Sequence, residues 1–402
     1  MKTGCCVVGG GPAGMMLGLL LARSGVDVLV LEKHADFLRD FRGDTIHPST
    51  LDVLADLGLL EEFLRLPHQE LREVKVNVGG VALKAADFGR VPSRCKFIAF
   101  APQWDFLEFL ERQARTQPSF RLRMEAEVTE LIEKEGRVAG VRARTPDGEL
   151  VVEAGLVVGA DGRHSVVRAR SGLPVEDLGA PMDVLWMRLG KRPGDPEQSL
   201  GYVDAGRFMV LLGRGDYWQC GYVIPKGSFE ALRGRGLPAF HGDLRSLVPF
   251  LGERVEEIAG WDAVKVLTVM VDRLRTWHRA GVLCIGDAAH AMSPVGGVGI
   301  NLAIQDAVAA ANLLAPKLAR GGVTDEDLAA VQKRRAPAAR VTQAVQVFVH
   351  KHVLTRVFAA TERLTPPWPL RLLDRFEVLR RIPGYAVGIG YRPERVALRR
   401  SR

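Results

Sequence analysis

Residues 5–34 read "CCVVGGGPAGMMLGLLLARSGVDVLVLEKH", and the fold turns on how this run is divided. From Cys5 to Ala22 no residue carries a charge and Lys2 stands just before, so length and polarity alone would suit a signal sequence or a short membrane helix. The glycines at 9, 10, 11, 14 and 18, with Pro12, argue against one continuous helix. A proline inside a helix costs about 3 kcal/mol and each glycine about 1 kcal/mol. The run instead predicts a strand, a tight turn, a helix, and a second strand from Val26 to Leu31 that ends at Glu32. Gly9-x-Gly11-x-x-Gly14 then falls between strand and helix. The first glycine permits the turn, the second lets backbone amides approach a pyrophosphate, and the third lets helix and strand pack closely. The helix N-terminus offers unpaired N–H groups and its positive dipole end to the phosphate. Glu32 lies where a carboxylate can accept hydrogen bonds from ribose hydroxyls.

The rest of the chain sets bounds. Its 402 residues, 47% of them hydrophobic, exceed the roughly 250 at which single cores stop growing, so two domains or one with a large insertion are expected. The net charge is +8, but Lys and Arg are interleaved with Asp and Glu except in the tail "YRPERVALRRSR", and no nucleic-acid partner is expected. The five cysteines, Cys5, Cys6, Cys95, Cys220 and Cys284, have no C-x-x-C spacing, which fits neither a disulfide framework nor a zinc site. No metal and no stable membrane span are expected, and a reducing cytoplasm is the simplest compartment. The sequence leaves the oligomeric state open.

Two further glycine and acid clusters follow. One is "LVVGADGRHSVVRARSG" at 156–172, a strand running into an Asp161–Gly162 turn. The other is "CIGDAAHAMSPVGGVGINLAIQDA" at 284–307, where a strand ends at Gly286 and Asp287 and a helix begins near Gly299. Ile300, Ile304, Ala307, Ala311 and Leu314 share one face of that helix. Its first N–H groups and positive end would point at whatever sits in the loop.

With Gly9, Gly11, Gly14 and Glu32 leading, and these two clusters following in order, the chain resembles the FAD-dependent class A flavoprotein monooxygenases of the para-hydroxybenzoate hydroxylase type. The resemblance spans residues 7–307. It implies an α/β fold: an FAD-binding Rossmann-like domain of the glutathione reductase type, an inserted mixed β-sheet substrate domain and C-terminal helices. The expected division is FAD-binding segments at 1–72, 101–178 and 274–322, a substrate-domain hairpin at 73–100, a substrate sheet at 179–273 and a helical region at 323–402.

The resemblance also implies roles. Gly9, Gly11, Pro12, Ala13 and Gly14, with Glu32 and Lys33, would hold the diphosphate and adenosine ribose; Arg42 would lie against the phosphates and Gln103 against the flavin. Asp161 belongs to a motif associated with both FAD and reduced nicotinamide. Gly286 and Asp287 would meet the ribityl chain, Pro294 the reacting edge, and Gly299, Ile300 and Asn301 the pyrimidine end of the ring. The implied reaction uses FAD, NADH or NADPH, and O2 to hydroxylate or epoxidise an electron-rich aromatic, quinone-like or polyketide molecule through a flavin C4a-hydroperoxide. His290 reads as a hydrogen-bonded structural group more readily than as a proton carrier.

Between these motifs, "RFMVLLG", "WQCGYVIPKG" and "AVKVLTVMVDRL" predict strands, and "VKVNVGGVALKAADFG" at 74–89 predicts a hairpin of the same sheet with Gly79 and Gly80 at its turn. Tyr202, Phe208, Trp218, Gln219 and Tyr222 are its substrate-pocket candidates. From Asp325 onward the chain reads as helices interrupted near Pro337. Three rival functions share the pattern: an FAD-dependent reductase or dehydrogenase acting on a prenyl or polyketide substrate, a flavin-dependent halogenase, and a flavin-free carrier. Cys220 and Tyr222 stand where a halogenase motif would have tryptophans, and Glu32 and Asp287 argue against the carrier.

Overall fold

The computed structural model of the chain describes residues 1–38, 45–196 and 200–397. Five parallel strands form its frame: β1 (Lys2–Val8), β2 (Val28–Leu31), β3 (Phe120–Arg123), β4 (Gly148–Gly159) and β5 (Val282–Cys284), in the sheet order β5-β4-β1-β2-β3. The N-terminal run divides as its glycines require. Helix α1 (Pro12–Arg23) joins β1 to β2 and buries every residue from Ala13 to Ala22, which accounts for the missing charges. Helix α2 (Gln103–Arg115) precedes β3, α3 (Gly299–Leu318) follows β5, and α4 (Asp325–Val349) follows α3. Helix α1 packs against both α2 and α3. The stretch Val295–Leu318 is long and apolar enough to cross a membrane, but it is mostly buried between α1 and α4 and is a core helix of this frame.

The second sheet has seven strands in the order Lys265–Leu267, Met182–Gly190, Tyr217–Pro225, Arg207–Gly213, Leu200–Asp204, Glu73–Val78 and Val81–Asp87. The last two form the hairpin, with Gly79 and Gly80 at φ +56° and +84° making its turn. One face of this sheet is covered by the helix Leu237–Leu247 and the turn-rich stretch Pro249–Glu257. The other face meets Val295 and Phe358.

The interruption expected at Pro337 is not found, because α4 runs through it from Asp325 to Val349. Pro337 gives up only the hydrogen bond to the carbonyl of Lys333, an exposed residue, while Arg335, Ala336, Ala338 and Ala339 around it are buried. Packing on both sides outweighs one missing bond.

Candidate active site

The strand register brings the sequence motifs together. Val8 of β1 stands opposite Leu31 of β2 and opposite Gly159 of β4, and Gly159 stands opposite Cys284 of β5. Gly9, Glu32, Ala160 and Ile285 therefore leave the sheet side by side at its carboxyl edge, where open α/β sheets bind ligands.

At the first turn, Gly9 has φ +105°, and a Cβ there would lie 2.4 Å from the carbonyl oxygen of Ala160. A Cβ on Gly14 would lie 1.9 Å from the carbonyl oxygen of Gly9. Both glycines are thus required by backbone-to-backbone contact. Gly11 differs: a Cβ on it would meet nothing within 4 Å. The turn leaves a backbone-lined opening in front of α1, whose N1 residue is Pro12 and whose following amides, on Ala13 and Gly14, lack intrahelical acceptors. That opening fits a diphosphate. Glu32 is buried beside it, with Oε2 accepting from the Gly10 amide at 2.8 Å and Oε1 from the His34 amide at 3.1 Å, while Lys33 is exposed. Arg42 lies outside the described residues. Gln103, the first residue of α2, is buried and follows Ile98–Phe100, a strand that pairs with Thr45–Ile46.

Asp161 is committed to its own turn. Its Oδ1 accepts from the Ser165 hydroxyl at 2.5 Å, and its Oδ2 from the amides of Val166 and Val167 at 2.8 and 3.2 Å. Burial pushes its carboxyl above the usual range against the pull of those bonds. Its segment still reaches the site through its backbone, which packs on Gly9. Arg168, from the same motif, is buried against Asp272 at 3.0 Å.

The 286–301 loop is held from several sides. Gly286, at φ +58°, fits between Ala13 of α1 and Ala303 of α3. Asp287 beside it is half-exposed, as are Pro294, Gly299 and Ile300. Gly297, at φ +63°, lies against Thr45, whose hydroxyl donates to its carbonyl at 2.9 Å. Asn301 uses its side chain as a bracket: Oδ1 accepts from the His47 amide and the Thr50 hydroxyl, both at 2.8 Å, and Nδ2 donates to the Thr45 carbonyl at 2.9 Å. Gln346 of α4 donates to the carbonyls of Ser293 and Val295 on either side of Pro294.

Beneath the loop lies a buried charge cluster. His290 Nε2 is 2.6 Å from Asp306 Oδ2, and the same oxygen accepts from the Gly286 amide at 3.1 Å. Arg335 Nε donates to Asp306 Oδ1 at 2.9 Å and its Nη1 to the Arg392 carbonyl at 3.0 Å. Burial alone would raise the Asp306 carboxyl, but His290 and Arg335 hold it below its ordinary value. His290 is thus a packing and hydrogen-bonding group facing away from the loop surface. Asp306, Arg335 and Glu394, whose Oε1 lies 3.7 Å from Arg335 Nη1, escaped the sequence reading because their partners lie far away along the chain.

The pocket candidates divide by strand alternation. Phe208 and Gln219 face the Val295 side, with Phe208 packed near Val295 and Gln219 accepting from Arg214 Nε at 3.0 Å. Tyr202, Trp218 and Tyr222 point the other way, into the core under Leu237–Leu247 and Pro249–Glu257. Tyr222 meets Phe240 edge-on at 5.4 Å, and Trp218 Nε1 donates to Asp195 Oδ2 at 3.0 Å. These three pack in that core, on the face of the sheet opposite Val295.

Residues 2–346 match the family described as the FAD binding domain. The chain is 35% identical over 384 residues to 6-methylpretetramide 4-monooxygenase of Streptomyces rimosus, covering 94% of this chain and 92% of that one. It is 30% identical over 374 residues to 2,4-dichlorophenol 6-monooxygenase of Delftia acidovorans, covering 85% of this chain and 61% of that longer one. Among solved structures, p-nitrophenol 4-monooxygenase of Pseudomonas putida shares the fold with a TM-score of 0.75 at 22% identity, covering 96% of this chain and 94% of its own. The glycine turn open in front of α1, the buried acid at the end of β2 and the loop carried to the same edge by β5 are what such a fold needs around its cofactor, and the chain belongs to the FAD-dependent aromatic monooxygenase family.

Proposed function

We propose that this chain uses FAD, reduced by NADH or NADPH, and O2 to hydroxylate a fused-ring aromatic polyketide or a related quinone-like compound. The observation that carries the cofactor assignment is the register that sets Val8, Leu31, Gly159 and Cys284 in one row. The substrate class rests on the relative named 6-methylpretetramide 4-monooxygenase, which matches nearly end to end.

In this reading the amides of Ala13 and Gly14 and the start of α1 would hold the diphosphate, and the Glu32 carboxylate would accept from the ribose hydroxyls. Asp287 would accept from the ribityl region, and the amides of Gly299, Ile300 and Asn301 would meet the pyrimidine end, where a helix N-terminus stabilises negative charge. When bound, FAD accepts hydride and activates dioxygen. Phe208 and Gln219 on the sheet and Pro294 on the loop would border the substrate ring, and the burial around them would keep water from the reacting edge. Five buried, unpaired cysteines support a cytoplasmic location; burial pushes the Cys6 thiol up to about 12.

Incubation of the purified holoenzyme with NADPH or NADH, labelled dioxygen and a panel of tetracyclic phenols tests the reading. The expected product gains one labelled oxygen atom per NAD(P)H consumed. Unlabelled product, or NAD(P)H oxidation that yields only hydrogen peroxide with every substrate, would favour the reductase alternative and overturn this one.

A further inference from the structure

The C-terminal helices Trp368–Arg375 and Glu377–Gly388 pack on one another and on the edge strand Val81–Asp87. Their outer surface is unusual for a folded chain. None of the eight residues of the first helix is buried, although it contains Trp368, Leu370, Leu372 and Leu373. Trp368 is 74% exposed, Ile382 68% and Val378 63%, and Leu372, Phe376 and Tyr385 are exposed as well. Trp368 and Leu372 stand one turn apart on the first helix, Phe376 lies at the junction, and 378, 382 and 385 follow helical spacing on the second. Exposed apolar patches of this kind mark interaction sites.

The charges around these side chains narrow the partner. Both acids between 368 and 392 are engaged: Asp374 accepts from the Lys84 amide at 2.9 Å, and Glu377 pairs with Arg90 at 3.2 Å. Arg371, Arg375, Arg381 and Arg392 have no carboxylate partner among the described residues. A two-fold contact between copies would set this patch against itself and bring arginine against arginine. An anionic lipid surface complements it: tryptophan and aliphatic side chains enter the headgroup boundary while arginines meet the lipid phosphates.

We propose that the Trp368–Gly388 face is a peripheral docking surface for an anionic membrane, lying on the bilayer without spanning it.

Flotation of the FAD-loaded enzyme with vesicles of phosphatidylglycerol and phosphatidylcholine, against vesicles of phosphatidylcholine alone, tests this. The enzyme is expected to float with the anionic vesicles and to stay in solution with the neutral ones, with binding weakened by high salt. Ile382→Glu should abolish flotation, and the double variant Arg371→Gln, Arg375→Gln should lower it by about tenfold. Both should keep the flavin content and NAD(P)H oxidation of the parent, which excludes misfolding. Absence of flotation, equal flotation with both vesicle types, or flotation unaltered by Ile382→Glu would overturn the proposal. So would a dimer in solution that Ile382→Glu dissociates.

Discussion

Two glycine-rich turns feed helices toward the same edge of one sheet, and they are held in opposite ways. The turn before α1 is fixed mainly by close backbone contacts, Gly14 against Gly9 and Gly9 against Ala160 at the end of the neighbouring strand, with the Glu32 carboxylate on the Gly10 amide. The loop before α3 is fixed from a distance, by Asn301 to Thr45 and His47, by Gln346 to Ser293 and Val295, and by the His290, Asp306 and Arg335 cluster below. The first turn needs only to accept a diphosphate common to many enzymes. In the proposed reading the second would place a ring against a substrate, and side chains from α3 and α4, Asn301, Asp306, Arg335 and Gln346, hold it in place.

This contrast can be broken by substitution. The largest effect is expected from Gly14→Ala, whose Cβ has no space against the Gly9 carbonyl; the variant should purify without flavin or fail to fold, and a yellow, active Gly14→Ala enzyme would remove the backbone argument. Next is Asp306→Ala, which leaves Arg335 and His290 buried without their carboxylate and should cost about 3–5 kcal/mol in denaturant unfolding. A cost below about 1 kcal/mol would mean the cluster does not hold the loop.

A pH-dependent term comes from His47, buried and hydrogen-bonded through Nδ1 to the Val387 carbonyl at 2.7 Å. Burial pushes its pKa down to about 4. The unfolded chain then binds the proton first, so stability is full above about pH 6.5 and falls as pH drops toward 4, by roughly 3 kcal/mol. In His47→Leu the slope between pH 6.5 and 4 should shrink, burial of His278 and His350 supplying what is left; an unchanged slope would assign it to another group.

The smallest effect separates the two functions of the first turn. Gly11→Ala meets no neighbour, so the apoprotein should lose under about 1 kcal/mol, while FAD affinity falls by about tenfold because the methyl group stands in the diphosphate opening. Equal affinity in variant and parent would show that the cofactor approaches elsewhere.

The same contrast explains what could be read from the sequence. The N-terminal strand, turn, helix and acid lie within one short stretch and obey local rules, and so does the hairpin turning at Gly79 and Gly80. Alternation along Tyr217–Pro225 is equally visible, separating Trp218, Cys220 and Tyr222 from Gln219 and Gly221. Which face is covered depends on where Leu237–Leu247 packs, and no residue of the strand records that, so aromatic content alone could not separate Tyr202, Trp218 and Tyr222 under that helix from Phe208 on the other face. Pro337 was misleading for a related reason: its local cost is real, and burial of its neighbours overrides it.

The central claim is that the carboxyl edge of the parallel sheet, between the two helix starts, is the FAD site. Titration of the flavin-free protein with FAD, followed by quenching of flavin fluorescence, tests it most directly. The account predicts saturation at one FAD per chain, with affinity lowered in Gly11→Ala and lost in Gly14→Ala. No saturable binding, or binding that both variants leave unchanged, would contradict it.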